Sequence, residues 1–222
     1  PKNLVKNIET DELFFLKGHC YLAQLVVLDA FRGSPFFTKS YLDPGSELFG
    51  HPKRLEGNKT YLVSAGSLGQ AITMANGACL ADKLIGNKNQ TWTILGDGEL
   101  NEGSCSEAMS FASQHNLNHI FVLDNNKQES LERTVNILSN GNLKERVNAF
   151  GLEYQEVDGH QVEELRKLIN SVSELEGPKF INLHTVKGKG ISFMEGATEW
   201  HSRRLKNNEY FNASQELKKL EG

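Results

Sequence analysis

The sequence predicts an α/β protein with a mainly parallel sheet and helices on both of its faces. Short apolar runs typical of buried strands alternate with longer runs at helical spacing. Strands separated by helices in this way form βαβ units, whose strands are parallel. A hydrophobic content of 38% and a charged content of 23% are ordinary for a globular protein. We expect one domain over residues 1–222, with an irregular start at 1–10 and a helical tail at 202–222.

The first part of the chain predicts two helices separated by a long loop. Apolar residues at helical spacing between Cys20 and Ala30 indicate the first helix. Glycines and prolines make residues 32–59 typical of a loop. A second helix, rich in small residues, is predicted over 68–84, where Gly86 and Asn87 end it.

The second part of the chain alternates strands with helices. The polar stretch at 125–142 is long for a connection in a compact domain, and long loops are more often functional than structural. The predicted strands are 91–95, 119–123, 154–157 and 179–186, and the predicted helices are 103–115, 143–150, 162–172 and 209–220.

Charge and cysteine content narrow the class of protein. A net charge of −4 gives no electrostatic case for binding nucleic acid or an anionic membrane. No apolar run approaches the roughly 20 residues that a membrane-spanning helix needs. Cys20, Cys79 and Cys105 lack metal-ligand spacing, so we interpret them as reduced thiols of a cytoplasmic protein.

A metal–diphosphate site is predicted where two strands end. Gly96-Asp97-Gly98 follows the strand at 91–95, and Asn126 follows the strand at 119–123. Ligands bind at the carboxyl ends of strands in open α/β sheets, and glycines let a diphosphate approach the backbone. A carboxylate, an amide oxygen and the Gln128 carbonyl would suit Mg²⁺ or Ca²⁺. The alternative is a pair of ordinary strand-to-helix loops.

This pattern resembles the thiamine diphosphate signature, in which Gly-Asp-Gly precedes a more distant asparagine. Further sequence blocks accompany it: Leu16-Lys17-Gly18-His19, Gly50-His51-Pro52, Gly66-Ser67-Leu68-Gly69-Gln70, Gly96-Asp97-Gly98-Glu99, Glu102-Gly103, Val157-Asp158-Gly159-His160, Gly188-Lys189-Gly190 and Trp200-His201. Together these blocks resemble the amino-terminal, diphosphate-binding domain of transketolases, in the style of those made as two separate subunits.

The resemblance implies catalytic roles for His19, His51 and His201 as hydrogen-bond partners and proton carriers for sugar hydroxyls. It places Glu102 in an acidic network that links two active sites across a dimer. The alternative for Glu102 is a helix-start carboxylate that complements the helix dipole. His160 is predicted to have a turn or helix-cap role.

The resemblance also implies the cofactors, thiamine diphosphate and Mg²⁺ (or Ca²⁺). The implied metal ligands are Asp97, Asn126 and the Gln128 carbonyl. The implied cofactor-binding residues are Gly66, Ser67, Leu68, Gly96, Asp97, Gly98, Glu99 and Asn126. Lys187 and Lys189 offer cations that either close over an anionic ligand or belong to a solvated loop.

Transketolases need a pyrimidine-binding domain that supplies an activating glutamate, and the resemblance does not reach that domain. We therefore expect a separate partner subunit of the carboxy-terminal transketolase type, in a heterotetramer. The implied reaction moves a two-carbon unit from a ketose-type donor to an aldehyde acceptor. The sequence around Asn126 differs from that usual in the family, which favours an unusual sugar or keto substrate, as in secondary metabolism.

Two other functions also fit the signature. The chain could be the α-subunit of a thiamine-dependent keto-acid decarboxylase or dehydrogenase, which shares the Gly-Asp-Gly and asparagine pattern. The histidine set argues against that class, because polyhydroxylated substrates are what need those histidines. The other alternative is a non-catalytic subunit that only binds the cofactor.

Overall fold

The computed structural model describes residues 12–15, 17–32, 37–46, 48, 50–53 and 63–220. The irregular start predicted at 1–10 lies outside these residues, as does part of the loop predicted at 32–59.

In the described part of the chain, the strands form one five-stranded parallel sheet in the order β1-β2-β3-β5-β4. The predicted α/β class and parallel sheet are therefore confirmed. Because β5 lies between β3 and β4, the chain crosses to the sheet edge and then returns. The strands are β1 (Glu12–Phe15), β2 (Thr91–Gly96), β3 (His119–Asn125), β4 (Glu153–Asp158) and β5 (Lys179–His184).

The helices connect these strands and follow the predicted order. Each predicted helix is present, and its ends lie within about two residues of the predicted ones, which is the usual uncertainty of helix boundaries. The helices are α1 (Tyr21–Arg32), α2 (Phe37–Ser40), α3 (Gln70–Leu84), α4 (Gly103–Gln114), α5 (Thr134–Ile137), α6 (Leu143–Ala149), α7 (Val162–Ser173) and α8 (Asn207–Leu220).

Helices pack on both faces of the sheet, as predicted. On one face of the sheet, α3, α4 and α6 pack in a core that includes Ile72, Met109 and Phe121. The other face joins α7 to the sheet through residues that include Val172 and Ile181. The central strand β3 is shielded from water on both sides, which explains the continuous apolar run at its centre.

Some short elements were not predicted. Strand β1 is an edge strand of four residues, in which Phe14 is buried while Leu13 is 41% exposed. So short a run carries too little periodicity to be recognised as a strand. Helices α2 and α5 are single turns inside segments that were predicted as loops. Strand β5 ends at His184, two residues before the predicted end at 186.

His119, the first residue of β3, has its side chain buried in the core. His119 is fully buried and stacks on Phe121, with ring centroids 3.9 Å apart. Its Nδ1 lies 2.7 Å from Asn76 Oδ1, and its Nε2 lies 3.0 Å from the Thr93 hydroxyl. Since Asn76 uses its Nδ2 to donate to the Ala108 carbonyl, the imidazole donates from Nδ1 and accepts at Nε2. Burial lowers the pKa of His119 to about 3.

We expect His119 to make the fold sensitive to acid. The unfolded chain binds a proton at this histidine below its ordinary pKa of about 6.5, whereas the folded chain does not. The contribution of His119 to the free energy of unfolding should therefore fall by about 1.4 kcal/mol per pH unit between these two pKa values. Urea titrations from pH 7 to pH 4 would measure this slope. It should become shallower in His119→Phe and stay unchanged in His115→Phe, a control at an exposed position; equal slopes in all three proteins would contradict the role of His119.

Candidate active site

The carboxyl ends of β2 and β3 lie side by side, with Gly96 paired to Asp124. The residues that follow these ends border a cavity of about 470 Å³. Loops after β1 and β5 complete its wall. The predicted site residues that line the cavity are His19, Leu68, Gly96, Asp97, Gly98, Glu99, Glu102, Asn126, Gln128 and His201.

The residues predicted to hold a metal lie together in this cavity, joined by the Gln128 N–H. Asp97 is buried, and its carboxylate accepts hydrogen bonds from the backbone N–H groups of Gly98 and Gln128, each at 3.0 Å. The Gln128 N–H also lies 3.0 Å from the side-chain oxygen of Asn126. Lys127, between them, has a φ of 61°, and this left-handed turn brings Gln128 back toward Asp97. Burial raises the pKa of Asp97.

Beside these groups, a buried ion pair joins Lys17 to Asp124. Burial alone would lower the pKa of Lys17, but the Asp124 charge raises it above its ordinary value. Burial alone would raise the pKa of Asp124, but Lys17 holds it below its ordinary value. The Thr185 hydroxyl also donates to Asp124, so the ends of three segments are held together.

Glu99 links two backbone segments at the cavity wall through hydrogen bonds. One carboxylate oxygen accepts a hydrogen bond from the Gly69 N–H at 2.9 Å, and the other accepts one from the Gly96 N–H at 3.3 Å. The side chain is buried, and burial raises its pKa. Glu99 therefore ties the turn that starts α3 to the end of β2. Its predicted contact with the cofactor stays a prediction.

Two of the predicted histidines lie beside each other in the cavity wall. The ring centroids of His19 and His201 are 5.2 Å apart. Burial, together with nearby cations of which Lys17 contributes most, lowers the pKa of His19 to about 4. Burial also lowers the pKa of His201, with a contribution from Lys187. Both imidazoles are therefore neutral at neutral pH, and each can donate and accept hydrogen bonds.

His51 packs against Gly18, the residue that precedes His19. An ideal Cβ added to Gly18 would lie only 2.1 Å from His51 Cδ2, and one added to Gly66 would lie 3.3 Å from the same atom. The imidazole therefore fills the space that these glycines leave. Among the described residues that line the cavity, His51, Gly66 and Ser67 are not found. Their predicted roles stay predictions.

Glu102 lies where the 66–69 turn meets the start of α4. An ideal Cβ added to Gly69, whose φ is 72°, would lie 2.2 Å from Ser104 Oγ and 2.9 Å from Glu102 Cβ. Only glycine fits that close approach. Glu102 is the N-cap residue of α4, lines the cavity and is exposed in the isolated chain. The acidic network across a dimer stays a prediction.

The two lysines of the 187–190 turn differ in position. Lys187 lines the cavity, whereas Lys189 is exposed and pairs with Glu195 at 3.5 Å. His160 accepts a hydrogen bond from the Val186 N–H at 2.9 Å, and its own N–H bonds to Asp158. This contact agrees with the turn role predicted for His160.

Sequence reasoning missed several groups that line the cavity. Asp124 immediately precedes Asn125 and Asn126 at the end of β3, and its position at a strand end was the available signal. Lys17 lies two residues before His19 in a block that carries the family resemblance. No local signal pairs these two residues. The other missed residues are Cys20, Glu129, Ser130, Thr185, Val186 and Gly188.

Comparison with known proteins identifies the family of this domain. A family model described as "Transketolase, thiamine diphosphate binding domain" matches residues 6–219. The chain belongs to the transketolase family. The predicted resemblance is confirmed, and the strand-end site lies within the domain of the family that is described as binding thiamine diphosphate.

Two curated relatives are subunits of transketolases. An apulose-4-phosphate transketolase subunit of Actinobacillus succinogenes is 34% identical over 98% of this chain and 79% of the relative. The 6-deoxy-6-sulfo-D-fructose transketolase subunit SqwG of a Clostridium species is also 34% identical, over 95% of this chain and 78% of the relative. The predicted likeness to transketolases made as separate subunits is thereby confirmed.

Solved transketolases share the fold. The enzyme of Campylobacter jejuni superposes with a TM-score of 0.82 at 28% identity, over 94% of this chain and 34% of that chain. A transketolase of Pichia stipitis in complex with sedoheptulose-7-phosphate gives a TM-score of 0.80 at 25% identity, over 94% of this chain and 33% of that one. The transketolase-family chain thus spans about a third of the length of these solved proteins.

Among the described residues, no helix combines the length and the apolar character that crossing a membrane requires.

Proposed function

We propose that this chain is the diphosphate-binding subunit of a two-subunit transketolase that depends on thiamine diphosphate and Mg²⁺. The observation that carries the proposal is the convergence of Asp97, Asn126 and Gln128 in a cavity whose wall contains His19 and His201. When bound, thiamine diphosphate supplies the electron sink for breaking and forming a carbon–carbon bond beside a carbonyl group. The chain supplies binding, orientation and proton transfer.

The residues present fit a divalent cation. Within the described part of the chain, Glu129 Oε1 is buried without a hydrogen-bond partner. The carboxyl group lies against Gly98, where an ideal Cβ would come within 3.0 Å of Glu129 Cδ. Burial raises the pKa of Glu129, with a contribution from Asp97, so a cation would stabilise both carboxylates. Asp97, Asn126 and the Gln128 carbonyl would hold Mg²⁺ or Ca²⁺, which prefer such oxygens.

The neutral histidines suit a polyhydroxylated substrate. An imidazole near neutral pH exchanges protons with hydroxyl groups and forms directional hydrogen bonds to them. His19 and His201 provide two such groups 5.2 Å apart. A keto-acid decarboxylase substrate has no hydroxyl groups that need this pair, which favours ketol transfer over that alternative.

A separate partner protein is part of the proposal. Two relatives are named as subunits of transketolases, which supports the same arrangement here. We propose a partner that carries the pyrimidine-binding domain, and a heterotetramer of two chains of each kind. We also propose a cytoplasmic location, since Cys20 and Cys105 form no disulfide within the described part of the chain.

The chemical class of the donor is proposed from related proteins. The names of two relatives specify a phosphorylated and a sulfonated sugar, and one solved transketolase holds sedoheptulose-7-phosphate. We propose a ketose with an anionic group at the end distant from its carbonyl. Comparing phosphorylated, sulfonated and uncharged ketoses as donors would test this class; equal kcat/KM values for all of them would contradict it.

Two-carbon transfer is expected only from the assembled enzyme. The experiment combines this chain with a partner of the carboxy-terminal transketolase type from the same organism, in the presence of thiamine diphosphate and Mg²⁺. Transfer from a ketose to an aldehyde should occur with both proteins and be at background level with either one alone. Substantial transfer by this chain alone would contradict the partner requirement.

Two further arms of this experiment address the alternative functions. Turnover of pyruvate in preference to ketoses would favour the keto-acid enzyme class. If His19→Ala left the turnover of the assembly intact, the chain would be a non-catalytic binding subunit. We expect this substitution to lower kcat by about 100-fold or more, the usual contribution of a general acid or base.

A further inference from the structure

We propose that Lys187 is a positioning residue that fixes the tautomer of His201, so that this histidine presents an Nε2–H donor in the cavity. The inference deepens the proposed function and rests on it. It also decides between the two interpretations of the 187–190 turn that the sequence leaves open, since it gives this lysine a defined partner inside the site.

The hydrogen-bond geometry requires one tautomer. Lys187 Nζ lies 2.8 Å from His201 Nδ1. An ammonium group only donates hydrogen bonds, so Nδ1 must accept and the ring proton must be on Nε2. The same ammonium donates to the Glu129 carbonyl at 3.2 Å. Two acceptors from different segments therefore fix the position of one charged group.

The backbone around Lys187 is also fixed. The Lys187 carbonyl accepts a hydrogen bond from the Gly196 N–H at 2.9 Å, which closes the loop between them. An ideal Cβ added to Gly188, whose φ is 79°, would lie 2.5 Å from the Met194 carbonyl oxygen. The turn therefore requires glycine after Lys187, and it directs this lysine toward His201 while Lys189 remains outside the cavity.

The chain segment that carries His201 is also anchored, through the neighbouring Trp200. Trp200 donates from its indole N–H to the Phe193 carbonyl at 2.9 Å, and Arg203 lies over the indole ring at 4.0 Å. The short 3-10 turn at Thr198–His201 is thereby anchored beside the loop that carries Lys187. Because the segment around His201 is anchored and Lys187 occupies Nδ1, Nε2 is the ring nitrogen left to contact a bound molecule.

Burial and nearby positive charges favour the neutral form of His201. Burial lowers the pKa of His201, and the positive charges of Lys187 and Lys17 lower it further. Removing the Lys187 charge should therefore raise the pKa of His201. The charged and titratable groups that line the cavity with Lys187 and His201 are Lys17, His19, Cys20, Asp97, Glu99, Glu102, Asp124, Glu129 and His160.

The competing role for Lys187 is direct contact with an anion, either the cofactor diphosphate or the substrate. In that case Lys187→Met would weaken binding of the anion. A positioning residue instead affects the chemical step and the state of His201, while affinity for the cofactor changes little. These roles predict different results in the same set of variants.

The test uses Lys187→Met and Lys187→Arg, with Lys189→Met as the matched control on the same turn. Long-range ¹⁵N–¹H NMR of the full chain reports the tautomer and the pH titration of His201, assigned with His201→Asn. The wild-type chain should show the Nε2–H tautomer. Lys187→Met should show a mixture of tautomers and a titration at higher pH, whereas Lys189→Met should match the wild type.

In the assembled enzyme, Lys187→Met should lower kcat by about 10- to 100-fold, part of the usual contribution of a proton-transfer group. The Kd for thiamine diphosphate and the KM for the donor should change by less than about threefold, well under 1.4 kcal/mol. Lys187→Arg should restore part of kcat, because a guanidinium can donate to the same nitrogen.

An Nδ1–H tautomer in the wild-type chain would overturn the inference. So would a rise in the cofactor Kd as large as the fall in kcat, which would show direct anion binding. The NMR measurement does not depend on activity, so its failure is separate from failure of the proposed function. Absence of ketol transfer by the assembly would refute the proposed function even if the tautomer were as expected.

Discussion

Asp97→Ala is expected to lower the affinity of the chain for thiamine diphosphate, at fixed Mg²⁺, by about 100-fold or more. That figure follows from metal sites in general, where loss of an outer partner already costs about 10- to 100-fold in metal affinity. Asp97 is proposed as a direct ligand. Its carboxylate also holds the backbone N–H groups of Gly98 and Gln128. The substitution therefore removes a ligand and releases the loop that brings Gln128 to the site.

Titration of cofactor into the chain at several Mg²⁺ concentrations, followed by calorimetry, would measure this effect. Asp43→Ala is a suitable control, because Asp43 is exposed in a turn away from the cavity. Asp97→Asn separates charge from shape, since an amide keeps one oxygen acceptor but loses the negative charge. Cofactor binding by Asp97→Ala that remains tight and still depends on Mg²⁺ would show that the cation is held elsewhere.

The parts of the site that lie within one strand-to-helix loop were predictable from sequence. Asp97 and Asn126 each follow an apolar run long enough to be recognised as a buried strand. In a parallel sheet, the ends of neighbouring strands meet at one edge, so these residues could be placed together from the sequence alone. The histidines carried no such local signal, and only the family resemblance pointed to His19, His51 and His201.

The ion pair between Lys17 and Asp124 could not be predicted, and the geometry shows why. The two residues are 107 positions apart. Lys17 follows β1 and Asp124 lies near the end of β3, and β2 lies between these two strands. The lysine reaches across the end of β2, where an ideal Cβ added to Gly96 would lie 3.3 Å from Lys17 Cε. Glycine on the intervening strand leaves room for this contact, and no local pattern of charges reveals it.

Lys17→Met should therefore destabilise the fold considerably. Lys17 is 5% exposed, and the side chain of Asp124 is 27% exposed. Removing one partner of a buried pair leaves the other charge unpaired, at a typical cost of about 3–5 kcal/mol in the free energy of unfolding. We expect the lower end of this range, because Asp124 is partly exposed and keeps its hydrogen bonds from Thr185 and Asn126. Urea unfolding at pH 7 would measure the loss.

The pH dependence of this loss identifies its cause. Lys17 holds the pKa of Asp124 below its ordinary value, so the pair stabilises the fold above the unfolded pKa of about 3.9. That stability disappears as the pH falls through the lowered pKa of the folded state. The raised pKa of Lys17 keeps the lysine charged throughout this range. The difference in unfolding free energy between wild type and Lys17→Met should therefore shrink as the pH falls below about 4.

The double variant Lys17→Met/Asp124→Asn provides the matched control, because it removes both charges and leaves no unpaired carboxylate at position 124. It should recover most of the stability lost in Lys17→Met, since replacing a buried pair by neutral groups costs much less than breaking it. A difference that stays constant with pH, or a double variant no more stable than Lys17→Met, would mean that Lys17 acts through packing alone. The aliphatic part of its side chain against Gly96 would then be the stabilising contact.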